Sequence, residues 1–306
     1  MPLLETILPI FVVIGLGLLA GQRGYLPAGF LGPANRLVYH LAIPAMIFRA
    51  IAGGNLKHQF HLPVLAVTLG TVAIGFLVAT AVARRLVAGK AGQASFRQCA
   101  FHGNLGYIGL AVVYFYLGQE SLGKASILAG FIMILQNLLA VVTLSTGRDV
   151  GMGLRLRRVM GNPVIIASML GIGFSALGLR LPVIFDRSLA IVAQMALPLA
   201  LLVIGATLSP TQIRAALWPS LAASVIKLGV MPGATLAIWR FADMPVAGCL
   251  PALILLASPT ATIAYVMGRE MGGDPDLAAA AISLSTLLSG LTFLGWLALV
   301  HWIGGG

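Results

Sequence analysis

Apolar residues gather in ten long stretches, at roughly 5–21, 36–52, 63–83, 98–117, 125–146, 162–179, 188–208, 217–239, 247–267 and 277–302. Each approaches the ~20 residues that a helix needs to cross about 30 Å of hydrocarbon. The connections between them are short and hold most of the glycine, proline and charge. The pattern predicts an all-α integral membrane protein of ten transmembrane helices. Composition agrees, since 59% of residues are hydrophobic and only 9% are charged. Soluble domains carry roughly a quarter charged residues, so this chain lacks the polar shell that water would require. The first residues, Met-Pro-Leu-Leu-Glu, have no basic leader and no small-residue cleavage signal, so the first apolar run reads as a retained span.

The longest connection, at 147–161, carries Arg148, Arg155, Arg157 and Arg158 and falls at the middle of the chain. Its position suggests a duplication. Asn162-Pro163 matches Leu8-Pro9, Ala196-Leu197-Pro198 matches Ala42-Ile43-Pro44, Gln194 matches His40, and Gly171 matches Gly17, all at an offset of 154 residues. Asn104 falls opposite Pro259 at 155. Prolines and polar residues that hold one offset predict a repeat. The expected organisation is a first five-helix repeat at 1–147, a cytoplasmic linker at 148–161 and a second repeat at 162–306. Five is odd, so the second repeat enters the membrane with opposite polarity, as in many secondary transporters. The termini and even-numbered loops hold 6 Lys or Arg, whereas the odd-numbered loops hold 12. That bias predicts odd loops in the cytoplasm and both termini outside it, in a multi-pass protein of a bacterial inner (plasma) membrane.

The net charge of +11 is accounted for by these loops. There is no basic stripe of the kind that tracks phosphates, so nucleic acid is not an expected partner. Cys99 and Cys249 have no metal-type spacing, and no metal is expected. The chain has no G-x-S-x-G, Walker, H-E-x-x-H or C-x-x-C sequence, and no buried nucleophile–base pair is visible. The expectation is a protein that is not an enzyme and holds no resident cofactor, with a proton or sodium ion as the candidate coupling species.

Chemistry concentrates where two spans are poor helices at matched positions. The fourth reads His102-Gly103-Asn104-Leu105-Gly106-Tyr107-Ile108-Gly109, and the ninth reads Ser258-Pro259-Thr260-Ala261-Thr262-Ile263-Ala264-Tyr265. Glycine weakens a helix, and Pro259 removes an amide donor. In lipid such breaks survive only where protein or a water-filled cavity satisfies the freed backbone. Matched breaks in two repeats point to a midplane binding site. Packing by small residues is the plain alternative for either break alone.

All eight acidic residues lie at or near span ends, but Lys227 does not. It lies 9 residues past Trp218 and 12 before Trp239, read as interfacial anchors. At ~1.5 Å per residue those are about 13 and 18 Å, too far for a lysine to snorkel. An intramembrane cation without a buried anion favours an anionic ligand. Two readings of Lys227 stand equally: electrostatic attraction of the ligand, or neutralisation by desolvation or a structural bond to carbonyls freed at a helix break. Gln136 and Asn137 in the fifth span either line a cavity or bond another helix. His40 and Gln194, one turn before Pro44 and Pro198, face the site or mark kinks. His102 is a candidate proton carrier.

These segments resemble the auxin efflux carrier family, whose members include plant auxin carriers and bacterial malate or malonate permeases. The resemblance runs the whole length of the chain. Its most specific parts are Asn104-Leu-Gly-Tyr-Ile-Gly109, Asn162-Pro163, the run from Ala196 to Ala206, Ser258-Pro259-Thr260-Ala261, and the stretches Asp274-Pro-Asp-Leu-Ala and Leu284-Ser-Thr-Leu-Leu-Ser289. It implies a fold like that of bile-acid and sodium–proton transporters, in which broken helices four and nine cross, and a homodimer through the scaffold. It also implies substrate contacts from Asn104 and its neighbours, from Pro259 to Thr262, and from Gln136 and Asn137. The residues clustered at the two breaks add Gly103, Leu105, Gly106, Tyr107, Ser258 and Tyr265 as candidates. One departure is Ala111, where the family commonly has proline, so the first break rests on its glycines.

The expected function is secondary active transport of a small organic anion by alternating access, either a mono- or dicarboxylate such as malate or malonate, or an auxin-like acid. The expected partners are that acid and the lipid bilayer. The rival classes are a membrane protein that binds or senses a ligand without net transport, and a cation–proton exchanger, which the missing buried carboxylates disfavour.

Overall fold

The computed structural model describes residues 3–53, 61–144 and 161–303. The linker expected at 148–161 lies almost wholly outside the described residues. The described elements are helices, with no strand among them. Helix α1 spans Leu3–Gln22, and α2 (Ala28–Leu37) passes through a π-turn at Val38–Ala42 into α3 (Ile43–Ala52). Then come α4 (Leu62–Leu86), α5 (Lys90–Phe101), a π-turn at Leu105–Gly109 leading into α6 (Leu110–Leu117), and α7 (Gln119–Leu144). After the linker follow α8 (Pro163–Ala176), α9 (Val183–Gln194), α10 (Ala196–Thr207) and α11 (Pro210–Ala215). The chain closes with α12 (Leu217–Val225), a π-turn at Ile226–Val230, α13 (Met231–Phe241), α14 (Val246–Ala257), α15 (Ile263–Met271) and α16 (Pro275–Ile303).

Six helical stretches are long and apolar enough to cross a membrane: 3–22, 62–86, 119–144, 183–207, 217–241 and 275–303. The other four expected spans differ in instructive ways. The fourth and ninth are interrupted, at 102–104 and 258–262. The sixth is a shorter apolar helix of 14 residues. The second is helical from Ala28, eight residues before its apolar run begins.

Two of the three π-turns, those at Val38–Ala42 and Ile226–Val230, have a proline cause. A proline has no N–H and crowds the carbonyl four residues back, so the helix widens to pass it. Pro44 follows the turn at Val38–Ala42, and Pro232 follows the turn at Ile226–Val230. The Leu228 carbonyl, four residues before Pro232, finds a substitute donor in Trp296 Nε1 at 2.7 Å. Trp239, read from the sequence as an interfacial anchor, is instead fully buried in protein, whereas Trp218 is exposed.

Two backbone-to-backbone contacts join the two halves. Gly17 of α1 lies directly against the Leu202 carbonyl of α10, and Gly205 against the Ile14 carbonyl. Gly171 of α8 lies against α3, where an added Cβ would meet Ile51 Cβ at 2.9 Å and the Phe48 carbonyl at 3.3 Å. Small residues permit this approach, which lipid itself does nothing to drive. One buried apolar cluster extends through both halves, from Ile7 to Val300.

Candidate functional site

The two interruptions meet. Helix α5 ends at Phe101, and the chain runs extended through His102 and Gly103. Asn104 N donates to the Pro259 carbonyl at 2.7 Å, and Ala261 N donates to the His102 carbonyl at 2.9 Å. Gly103 and Thr260 thus pair as an isolated antiparallel bridge. The first break is sharp despite Ala111. Asn104 restarts its helix by accepting from Tyr107 N on Oδ1 at 3.3 Å, while its carbonyl accepts from Ile108 N and Gly109 N. Glycine at 103 is demanded by space, since an added Cβ would lie 2.8 Å from Ser258 Oγ and 3.0 Å from Lys227 Cε.

Carbonyls at the ends of α5 and α14 are capped by side chains, three of them from distant segments and one, Ser258, from the adjoining residues. Thr260 Oγ1 donates to the Cys99 carbonyl at 2.9 Å, and Gln136 Nε2 donates to the Phe101 carbonyl at 3.0 Å. Lys227 Nζ donates to the Leu256 carbonyl at 2.6 Å, and Ser258 Oγ donates to the Leu255 carbonyl at 2.6 Å. Ser285 Oγ in turn accepts from Thr260 N at 3.1 Å. All of these side chains are buried, and unpaired carbonyls there would each cost about 1–3 kcal/mol.

Beside the crossing lies a cavity of about 570 Å³. His102, Gly103, Asn104, Leu105, Gly106 and Tyr107 line it from the first break, and Ala261, Thr262 and Tyr265 from the second. Asn137 lines it from α7. No Asp, Glu, Lys or Arg occurs among the described lining residues. The restarted helices beyond the two breaks begin there, at Leu105 and Ile263. Several first-turn amides are already bonded: Leu105 N to the Gly103 carbonyl, Tyr107 N to Asn104 Oδ1, Ala264 N to the Ala261 carbonyl and Tyr265 N to the Thr262 carbonyl. Each helix start carries roughly half a positive charge. Asn104 Nδ2 and His102 Nδ1 are buried without a hydrogen-bond partner.

Several residues expected to contact a ligand lie outside this cavity. Gln136, Ser258, Pro259, Thr260 and Lys227 do not line the cavity, and the hydroxyl of Thr260 is spent on a backbone carbonyl. Lys227 is engaged by the Leu256 carbonyl at the end of α14. Pro44 and Pro198 do not line it either, nor do His40 and Gln194, which are exposed on the helix surface. His40 bonds the Arg36 carbonyl of its own helix through Nδ1.

Residues that the sequence reading missed complete the wall. Asn35, Tyr39, Thr207 and Gln212 line it, as does Asn162, noted only as part of a motif. Tyr107 donates through its hydroxyl to Asn35 Oδ1 at 2.6 Å. Asn162 caps α8, accepting from Val164 N at 2.9 Å. The available signal was the stretch Gly32-Pro33-Ala34-Asn35, which is helical and contributes Gly32 and Asn35 to the cavity wall.

A family model described as membrane transport protein matches residues 2–147 and 150–297. A protein of Rhizobium meliloti (strain 1021) named "Putative malonate transporter" is similar at 26% identity over 316 residues, covering 96% of this chain and 95% of its own. An "Uncharacterized transporter" of Methanothermobacter thermautotrophicus is 26% identical over 297 residues, covering 95% and 96%. An uncharacterized transporter of Methanocaldococcus jannaschii is 22% identical over 304 residues, covering 96% and 97%. With its long apolar helices, the protein is a multi-pass membrane protein. This chain belongs to the auxin efflux carrier family of membrane transport proteins.

Proposed function

We propose that this transporter moves a small organic anion by alternating access, holding one carboxylate between the helix starts at Leu105 and Ile263. The observation that carries the reading is the unpartnered Asn104 Nδ2 beside those two starts, in a cavity without lining carboxylates. Two half-charges sum to about one unit, which matches a single carboxylate. A dicarboxylate then enters with its second group protonated. The name of the Rhizobium meliloti relative supports an organic acid such as malonate.

The ten-span plan of two inverted halves belongs to the same reading. Its support is the packing of Gly17 on Leu202 and of Gly171 on Phe48, two contacts related by the offset of 154 residues. The cavity wall includes exposed Thr207 and Gly32 and the nearby Gln212, beside odd-numbered loops. With the loop charges, this supports a cavity open to the cytoplasm.

The test is uptake of labelled malonate and of monocarboxylates into proteoliposomes. Asn104→Ala removes a donor to a charged acceptor, worth about 1.5–3 kcal/mol, so half-saturation should rise about 10- to 100-fold. Uptake by Asn104→Ala that matches wild type for every acid carried refutes the assignment. So does a wild-type protein that carries none.

A further inference from the structure

Four asparagines are among the described lining residues of the cavity, and three of them have their side-chain oxygen already taken by a donor of the protein. Asn104 Oδ1 accepts from Tyr107 N at 3.3 Å, and Asn35 Oδ1 accepts from the Tyr107 hydroxyl at 2.6 Å. Asn162 Oδ1 accepts from Val164 N at 2.9 Å and from Ile165 N at 3.4 Å. An asparagine whose oxygen is engaged offers its remaining NH2 donors to a ligand. The carboxylate site uses Asn104 alone. We propose that Asn35 and Asn162 form a second polar subsite in the same cavity, whose amide donors receive an uncharged oxygen acceptor at the far end of the cargo. The inference rests on the carrier reading above and narrows it to monoanions with a neutral carbonyl beyond the carboxylate: oxo acids, acid amides and singly protonated diacids.

The fold brings the two asparagines to one wall from different halves of the chain. Asn162 caps α8, and α8 packs against the π-turn that continues α2, the helix that carries Asn35. Both side chains are half-buried, and neither Nδ2 has a partner among the described residues. Tyr107 sets the spacing from the first site. Its N–H is bonded to Asn104, its hydroxyl to Asn35, and the residue is buried, so one tyrosine side chain lies between the two amides. Ile43, Met133 and Ile204 in the same wall suit a hydrocarbon spacer.

Charge decides what the far group is. The two helix starts at the crossing are matched by one carboxylate. The start of α8 adds about half a unit, which favours a carbonyl oxygen and falls short of a second anion. With no Lys or Arg among the described lining residues, a second carboxylate would be desolvated without a counter-charge. A carbonyl needs only a donor.

Purified protein in detergent is titrated calorimetrically at neutral pH with oxo acids that bear the carbonyl on the fourth, fifth or sixth carbon, each beside its parent alkanoate. At the length that reaches Asn35 and Asn162, the oxo acid should bind about 2- to 10-fold more tightly than its parent. The diacid of that length, a dianion, should bind less tightly than the oxo acid. Asn35→Asp keeps the acceptor for Tyr107, and Asn162→Asp keeps the cap on α8, while each loses its donors. The added charge weakens both members of a pair, so the ratio within the pair is the readout. It should fall in each single variant and vanish in the double variant. A double variant that keeps the wild-type ratio overturns the subsite. So do equal affinities at every length in wild type, or a dianion bound as tightly as the oxo acid. Wild type that binds none of these acids removes the carboxylate site itself, and the subsite with it, which separates the failure of that reading from the failure of this one.

Discussion

One methyl group added at residue 103 probes the crossing at its tightest point. In Gly103→Ala the new Cβ would lie 2.8 Å from Ser258 Oγ, 3.0 Å from Lys227 Cε and 3.1 Å from Lys227 Nζ. The backbone at 103 is not left-handed, so alanine meets no conformational penalty there. The unfolded chain loses freedom, a gain of about 0.4–1 kcal/mol. Against that stand overpacking, about 1–3 kcal/mol, and displacement of the Lys227 bond to the Leu256 carbonyl, about 1.5–3 kcal/mol. Because relieving one strain partly relieves the other, the net loss should be about 2–4 kcal/mol. Gly15→Ala is the control, since nothing lies within 4 Å of its added Cβ and the site is helical. That control should be neutral or gain about 0.5–1 kcal/mol. Thermal unfolding in detergent, followed by tryptophan fluorescence, measures both. Gly103→Ala melting at or above the Gly15→Ala protein refutes the steric account of the crossing.

Two further substitutions separate bracing from surface pairing. Gln136→Leu keeps the volume but strands the Phe101 carbonyl, and should cost about 1–3 kcal/mol of stability with the preference among acids unchanged. A changed preference in uptake competition would return Gln136 to the ligand. Asp186→Asn breaks the paired bonds from Arg49 Nε at 2.6 Å and Nη2 at 3.1 Å, yet the side chains are 35% and 38% exposed. The expected loss is under about 1 kcal/mol, and a much larger drop in melting temperature would mean that lipid shields the pair from water.

The unequal fates of the polar residues follow from helical phase. Along an intact helix, spacing tells which residues share a face, but at a break that phase is lost. Thr260 and Thr262 are two residues apart in the same interrupted stretch, yet one caps the Cys99 carbonyl and the other lines the cavity. Gln136 and Asn137 are adjacent and divide in the same way. Asn35 escaped notice because it lies before an apolar run, where polar residues ordinarily read as loop.

The linear order of residues was enough to establish a lipid-embedded helical protein, the two breaks, and an unusual lysine between them. Each of these follows from local composition, because hydrocarbon tolerates neither charge nor unpaired backbone. Which freed carbonyl each side chain would cap, and which amides would remain for a ligand, depended on segments over a hundred residues apart meeting at Gly103 and Thr260. Those pairings are properties of the packed chain, since hydrogen bonds at a break are made with whatever the crossing brings within reach.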